Sequence, residues 1–471
     1  MQPSMFNVRV PVNDGAEVFL MNTFTDAQLI VSRDVADLLE WLGQGDASLT
    51  AEEREAVATL AEHGFVVESR EADRRSLEEY FHSVRESREQ LRVTILTTLQ
   101  CNFACGYCIQ GDHGDYNRHA ARMSLETAAR VAGWTEGRLD AVAPRQLTLT
   151  FFGGEPLLNL PVVYYLSERL SASCATRGIE LRINIITNGL LLTRELVQRL
   201  VPFGLSAVKV TLDGDRDVHN RMRPLRGGQG TFDRIIHNVR QVADLCSVSI
   251  GGNFDEETVD SYPALLDYLR EQEFADRLAK VAFKPIIRER KPTGPKGLIP
   301  LTAVTAEGKP LNGTCMTAAG TATGSACDSC HFLDEKMAFL RDETVKRGFP
   351  TIDGVHMGPC EIHKRHAHTI SPDGSLFACP GFASNASESI GHIDGRQESW
   401  QSRAADRFDR LAAWKECGDC AFIPVCAGGC SVAADAELGD MNRPNCHKPM
   451  FEAGVRALAA QAALTAEALP A

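Results

Sequence analysis

The sequence predicts an α/β protein: an open, partial (β/α)6 barrel, preceded by a small winged-helix-like unit and followed by a cysteine-rich domain. Three observations lead there. Strand-like and helical stretches alternate six times between residues 91 and 290. Residues 1–75 run hairpin, helix, helix, strand. Residues 355–450 hold seven of the fifteen cysteines.

In the N-terminal unit, "FNVRVPV", "EVFLMNTFT" and "AQLIVS" are short β-rich runs separated by turn residues. Ser32 is placed to cap a first helix that stops at Gly43, and Thr50 to cap a second, with a last short strand after it. Residues 70–92 carry both charge signs and read as a solvated connecting helix, covering the 76–90 link to the barrel. In the barrel, "LRVTILTTL", "QLTLTFF", "ELRINIITNG", "SAVKVTLDG", "VSIGGNF" and "KVAFKPI" are the strands. Helical stretches at 124–138, 159–176, 192–203, 231–244 and 258–272 separate them. Strands joined through helices form a parallel sheet with right-handed crossovers. Six units fall short of a closed eight-unit barrel, and catalysis belongs at the C-terminal strand ends. Residues 291–354 begin rich in Pro, Gly, Thr and Ala and read as a linker. Residues 451–471 read as an Ala-rich helix that frays at Pro470.

The bulk numbers restrict function. A chain of 471 residues holds two to three domains. A formal net charge of −13 argues against nucleic acid or an anionic membrane as a general partner. The N-terminus has no basic region followed by an apolar run, and no stretch is apolar enough to span a bilayer, so a cytoplasmic location is expected. In a reducing compartment, clustered thiols point to metal and not to disulfides.

The first cluster is "CNFACGYC", with Cys101, Cys105 and Cys108 directly after the first barrel strand. A structural zinc site closes with four protein ligands, and a plain iron–sulfur carrier also uses four cysteines. Three thiolates leave a metal position open. "FFGGEPLL", with Gly153, Gly154 and Glu155, ends the second strand. "ITNG", with Asn188 and Gly189, ends the third, and "TLDGDRDVHNRMR" ends the fourth. This C-x3-C-x-aromatic-C run, with Tyr107 before Cys108 and the later motifs in order, resembles the signature of the radical SAM superfamily. The resemblance implies a [4Fe–4S] cluster on Cys101, Cys105 and Cys108, with S-adenosylmethionine on the free iron. It implies cofactor contacts from Tyr107, Gly153, Gly154, Asn188, Thr211 (in the usual Ser position) and Arg223. Glu155 is expected to accept from the cofactor's ammonium and Arg223 to pair with its carboxylate. The implied chemistry is one-electron cleavage of the sulfonium to a 5′-deoxyadenosyl radical, which takes hydrogen from an unactivated carbon. Flavodoxin or ferredoxin is the expected electron donor.

The C-terminal cysteines read C-x13-G-x4-C, then C-x2-C-x5-C-x3-C, then a last cysteine. Position by position this resembles the SPASM domain of peptide- and protein-modifying radical SAM enzymes. The resemblance implies two auxiliary [4Fe–4S] clusters, making three in all. One takes Cys417, Cys420, Cys426 and Cys446; the other takes Cys360, Cys379 and Cys430. One of Cys315, Cys327 and Cys330 is the expected fourth ligand of the latter, with an open site as the alternative. Cys174 and Cys246 read as small buried hydrophobes. His363, His366 and His368 fit no metal spacing and read as a solvated or cluster-flanking loop. Pro380, where sulfatase-maturing relatives carry an Asp base, argues against that chemistry.

The N-terminal unit resembles leader-recognition domains of maturases of ribosomally made peptides, in which a peptide adds as a strand to a sheet edge. The whole reads as a maturase that crosslinks a precursor peptide through a thioether or carbon–carbon bond. A maturase of a larger protein, of sulfatase or quinoprotein type, is the alternative. A non-catalytic electron-transfer protein would leave the GGE and TNG motifs idle.

Overall fold

The structure is a computed structural model that describes residues 1–42, 49–110, 120–287, 328–351, 355, 358–396 and 399–467. It opens with β1 (Gln2–Pro3), β2 (Asn7–Val12), β3 (Glu17–Asn22) and β4 (Ala27–Ser32). Helices α1 (Arg33–Trp41) and α2 (Ala51–Glu62) follow, then β5 (Val66–Val67) and α3 (Arg70–Glu86). Thr50 starts α2 with a full capping box, its hydroxyl accepting from Glu53 N–H while the Glu53 carboxylate accepts from Thr50 N–H. Strands β2, β3 and β4 form an antiparallel sheet. The closing strand β5 pairs with β1 and not with that sheet.

The two faces of this small sheet bury different things, because strand residues alternate sides. Val18 and Leu20 pack on α1 and α2, with Leu39, Val57 and Leu60. Phe19 and Met21 face the C-terminal part of the chain, packing with Phe422, Phe451 and Val455. The unit is therefore docked along its length. The expectation of a solvated linker over 70–92 is corrected: α3 buries Leu77 and Phe81, and Phe81 stacks on Trp414 at 4.6 Å.

The barrel is β6 (Gln90–Thr98), α4 (Leu125–Val142), β7 (Gln146–Gly153), α5 (Leu160–Arg177), β8 (Glu180–Thr187), α6 (Arg194–Leu200) and β9 (Leu205–Thr211). It continues with α7 (Arg216–Met222), α8 (Phe232–Val242), β10 (Ser247–Phe254), α9 (Tyr262–Arg270) and β11 (Leu278–Pro285). The six strands lie in chain order and pair parallel throughout. Their outward residues, among them Val93, Leu149, Ile185, Val210 and Ile250, are buried under the helices in one core. Each such side chain contributes about 1.5–3 kcal/mol.

The C-terminal part adds α10 (Asp328–Lys346), β12 (Ala367–Ile370), β13 (Ser375–Phe377), β14 (Gly391–His392), α11 (Ser399–Asp409), α12 (Ile423–Cys426), α13 (Ser431–Leu438) and α14 (Lys448–Glu467). Two expectations change here. Within 291–354, α10 is a helix whose Leu340 is buried in the barrel core; residues 291–327 lie outside the described residues. The histidine segment is not solvated: His363 is buried in the turn after Cys360, and β12 pairs parallel with β6, so among the described residues the barrel sheet extends to nine strands. His368 stands on β12 with its ring edge against Trp134 of α4, and His366, directly before the strand, lies against Arg138. Pro470 lies outside the described residues. No helix among the described residues is long and apolar enough to cross a membrane.

Candidate active site at the C-terminal strand ends

The loop after β6 carries Cys101, Cys105 and Cys108 and is fastened from two sides. Leu99 N–H donates to Ala121 O, and Ala104 N–H to Pro224 O. Arg226 Nε donates to Cys101 O at 2.8 Å, and the Phe103 ring is buried beneath. The three thiols lie within electrostatic reach of one another. Burial pushes Cys101 up to about 12, with Glu155, Cys105 and Cys108 adding to it. Burial also raises Cys105, against the Arg223 guanidinium, which lowers it. Thiols held neutral this way become ligands once a metal supplies positive charge. Among the described residues no three His, Cys, Asp or Glu converge on a single ion. A cubane needs something else, because each thiolate binds its own iron. Three mutually close thiols on one pinned loop fit that donor set.

The glycines of "FFGGE" let β7 meet this loop. A Cβ on Gly153, at φ +139°, would lie 2.2 Å from Thr98 O, and one on Gly154 would lie 2.3 Å from Gln100 O. Only glycine fits such a backbone approach. Glu155 differs from expectation. It is fully buried, and its carboxylate accepts from Leu157 N–H (3.0 Å), Thr187 Oγ1 (2.8 Å) and Asn188 N–H (2.8 Å). A carboxylate with no accessible surface and three protein donors braces the β7 and β8 ends. It is not placed to meet a cofactor ammonium directly. Burial raises its pKa and these donors oppose the rise.

Asn188 reaches the cysteine loop, its Nδ2 donating to Asn102 Oδ1 at 2.8 Å. Thr211 ends β9, half-buried. Tyr107 and Arg223 meet in a buried network that also holds Asp213 and Asn253, two residues not singled out from the sequence. Tyr107 donates to Asp213 and accepts from Arg223 Nη1 at 2.6 Å. Asp213 accepts from Asn253 N–H at 2.7 Å and pairs with Arg223 at 3.5 Å. Arg223 is thus engaged by protein groups, apart from its Nε, which has no hydrogen-bond partner among the described residues. Asp213 stands in the quoted "TLDG" stretch, and that was its available signal. His219, the histidine of "HNRMR", accepts from Asp213 N–H on Nδ1, so its Nε2–H donates to Thr231. Burial holds it neutral, its pKa lowered to about 3.

The later cysteines fall into two groups. Cys360, Cys379 and Cys430 act on one another; burial lifts Cys360 to about 11 and Cys379 to about 12. Cys417, Cys420, Cys426 and Cys446 form the second group, with Cys417 and Cys426 both raised to about 12, first by burial. Gly428 and Gly429 bring Cys446 in: Asn445 N–H donates to Gly428 O, and a Cβ on Gly429 would lie 1.9 Å from Asn445 O. Cys330 lies in the first turn of α10, whereas Cys315 and Cys327 lie outside the described residues. The first cysteine loop touches the Cys379 turn directly, Gln110 Nε2 donating to Pro380 O at 3.2 Å.

Residues 95–269 match the radical SAM superfamily. The match runs from within β6 to within α9. That superfamily implies S-adenosylmethionine and a [4Fe–4S] cluster, which the first thiol group fits. Fe-coproporphyrin III synthase of Methanosarcina barkeri is 27% identical over 195 residues, 41% of this chain and 44% of that protein. GTP 3′,8-cyclase of Xanthomonas campestris pv. campestris is 37% identical over 157 residues, 32% of this chain and 40% of the cyclase. The chain thus spans less than half the length of these curated relatives. In fold, it is similar to native anSMEcpe with bound AdoMet, at TM-score 0.56 and 17% identity, covering 79% of this chain and 99% of that one. It is also similar to anSMEcpe with AdoMet and the Cp18Cys peptide, at TM-score 0.53 and 17% identity over 80% and 99%.

Proposed function

We propose that the chain is a radical SAM/SPASM maturase that modifies a ribosomally made peptide, forming a thioether or carbon–carbon crosslink. The observation that carries this reading is the sorting of ten cysteines into three groups, 101/105/108, 360/379/430 and 417/420/426/446. Making the radical needs only the first, and the other two follow the SPASM spacing of peptide- and protein-modifying enzymes. When bound, the cluster and S-adenosylmethionine supply a 5′-deoxyadenosyl radical that abstracts hydrogen from carbon. The chain's own residues prepare the place. Glu155, Gly153 and Gly154 lock the strand ends against the cysteine loop. Asp213, Tyr107 and Arg223 fix that loop from the β9 side. The C-terminal groups are our candidates for two auxiliary clusters, each tying distant loops together. The docked N-terminal sheet is the proposed leader site, and a flavodoxin or ferredoxin the electron donor. The relatives named above match 41% of this chain or less and under half of their own length, so their substrates give no reason to prefer a nucleotide or a porphyrin here. The likeness in fold to a protein solved with a peptide supports the peptide reading.

The test is iron content and cofactor cleavage after anaerobic reconstitution. Three cubanes mean about twelve irons per chain. Replacing Cys101, Cys105 and Cys108 with Ala should remove a third of the iron and all 5′-deoxyadenosine. Deoxyadenosine from that variant would sink the assignment.

A further inference from the structure

The inner face of the barrel sheet carries cations of two kinds. Near the N-terminal strand ends, Arg92 is held by Gln90 and Glu361, and Arg182 by Glu180. Deeper in, Lys209 on β9 and Lys280 and Lys284 on β11 have no ion-pair or hydrogen-bond partner among the described residues. Alternation places all three inside: Val208, Val210 and Val281 point into the helical layer and are fully buried. The nearby carboxylates are spoken for, Asp213 by Tyr107, Asn253 and Arg223, and Glu155 by its three donors.

The strand between them leaves room for this arrangement. Gly251 sits on β10, across from Thr211 of β9 and Ala282 of β11. A Cβ there would lie 2.5 Å from Lys209 Cε and 3.3 Å from its Nζ, so the lysine runs over the glycine toward β11. Lys209 is open to solvent yet walled by protein; burial lowers its pKa, and Lys284 and Lys280 add to that. Lys284 is also close enough to Cys379 to act on its thiol. Lys209 and Lys284, two strands apart on the inner face, are thus within electrostatic reach of each other, with Lys284 also within reach of the Cys360/Cys379/Cys430 group. Like charges brought together without an anion repel, and an anion between them relieves both.

We propose that Lys209 and Lys284 form an anion-binding subsite inside the barrel that takes a carboxylate of the substrate, from an acidic side chain or a C-terminus. This rests on the peptide reading above. A carboxylate fits better than a polyphosphate because the residues paired with Lys209 across the sheet, Ile186 and Ser249, are apolar and neutral and match one small anion. In a chain with net charge −13, such a local positive pair also discriminates.

The experiment is equilibrium binding to the anaerobically reconstituted full-length protein. The probes are acetyl-glutamate amide, acetyl-glutamine as free acid, acetyl-glutamine amide and inorganic tripolyphosphate. One or both carboxylates should bind and the amide should not; which one binds identifies the source. Lys209→Met and Lys284→Met should each weaken that binding by about tenfold or more. Gly251→Ala, which pushes only the flexible end of Lys209, should weaken it with iron content and melting temperature unchanged, and it decides the matter if a lysine variant misfolds. Unchanged carboxylate binding in folded variants, or binding of tripolyphosphate with neither carboxylate bound, overturns the proposal. Loss of carboxylate binding in the variants, with no encoded peptide modified by wild type, would leave the subsite standing and remove the peptide reading. A peptide modified equally well by the lysine variants would do the reverse.

Discussion

Replacing Glu155 with Ala tests whether this residue braces the strand ends or binds the cofactor. The substitution removes the acceptor of Leu157 N–H, Asn188 N–H and Thr187 Oγ1, all buried. Thr187 Oγ1 also accepts from Gly189 N–H and can turn, so the uncompensated groups are the two amides. Each orphaned buried donor costs about 1–3 kcal/mol, and removing a buried charge returns part of that. A net loss of about 3 kcal/mol is expected, lowering the barrel's melting temperature by roughly 6–12 °C. Glu155→Gln keeps one acceptor oxygen but turns an amide donor toward Asn188 N–H, and should cost about half as much. The assay is an anaerobic melt beside S-adenosylmethionine affinity and iron content, for wild type and both variants. An unchanged melt with cofactor binding lost would refute the brace and restore a direct contact.

Two further outcomes follow from the buried network. Tyr107→Phe removes the hydroxyl shared by Asp213, Arg223 and Asn253 and should destabilise by about 1–3 kcal/mol at full iron loading; a denaturant midpoint equal to wild type would contradict it. His219 stays neutral to about pH 3 when folded, against an ordinary value of 6.5, so the unfolded chain binds the proton first as pH falls. Its contribution is complete above pH 6.5, is reduced by about 1.4 kcal/mol at pH 5.5, and keeps falling toward pH 3. His219→Gln should lose that part of the difference between urea midpoints at pH 7.5 and 5.5, and an identical pH slope would argue against a neutral buried histidine.

Much of the barrel was legible because its signals are local. The apolar runs at 91–99 and 146–152 fall within a residue of β6 and β7, and glycine pairs mark where backbones touch. What escaped depends on distant partners. β12 is four residues long, and what joins it to the barrel is its pairing with β6, some 275 positions earlier, which no period in "EIHKRHAH" announces. Glu155 beside two glycines looks like a ligand; two of its three donors come from residues 187 and 188, invisible in its own neighbourhood. Asn253 becomes part of the site only because β10 ends level with Asp213.

The central claim, that a separate C-terminal cysteine group is needed to use the radical and not to make it, is tested by substituting Cys417 and Cys420 with Ala. The measurement is 5′-deoxyadenosine and peptide mass side by side, anaerobically, on a short peptide encoded beside the gene, at matched occupancy of the Cys101/Cys105/Cys108 site. The account predicts that wild type yields both and that the variant keeps some deoxyadenosine but leaves the peptide mass unchanged. Full conversion of the peptide by the variant would contradict it.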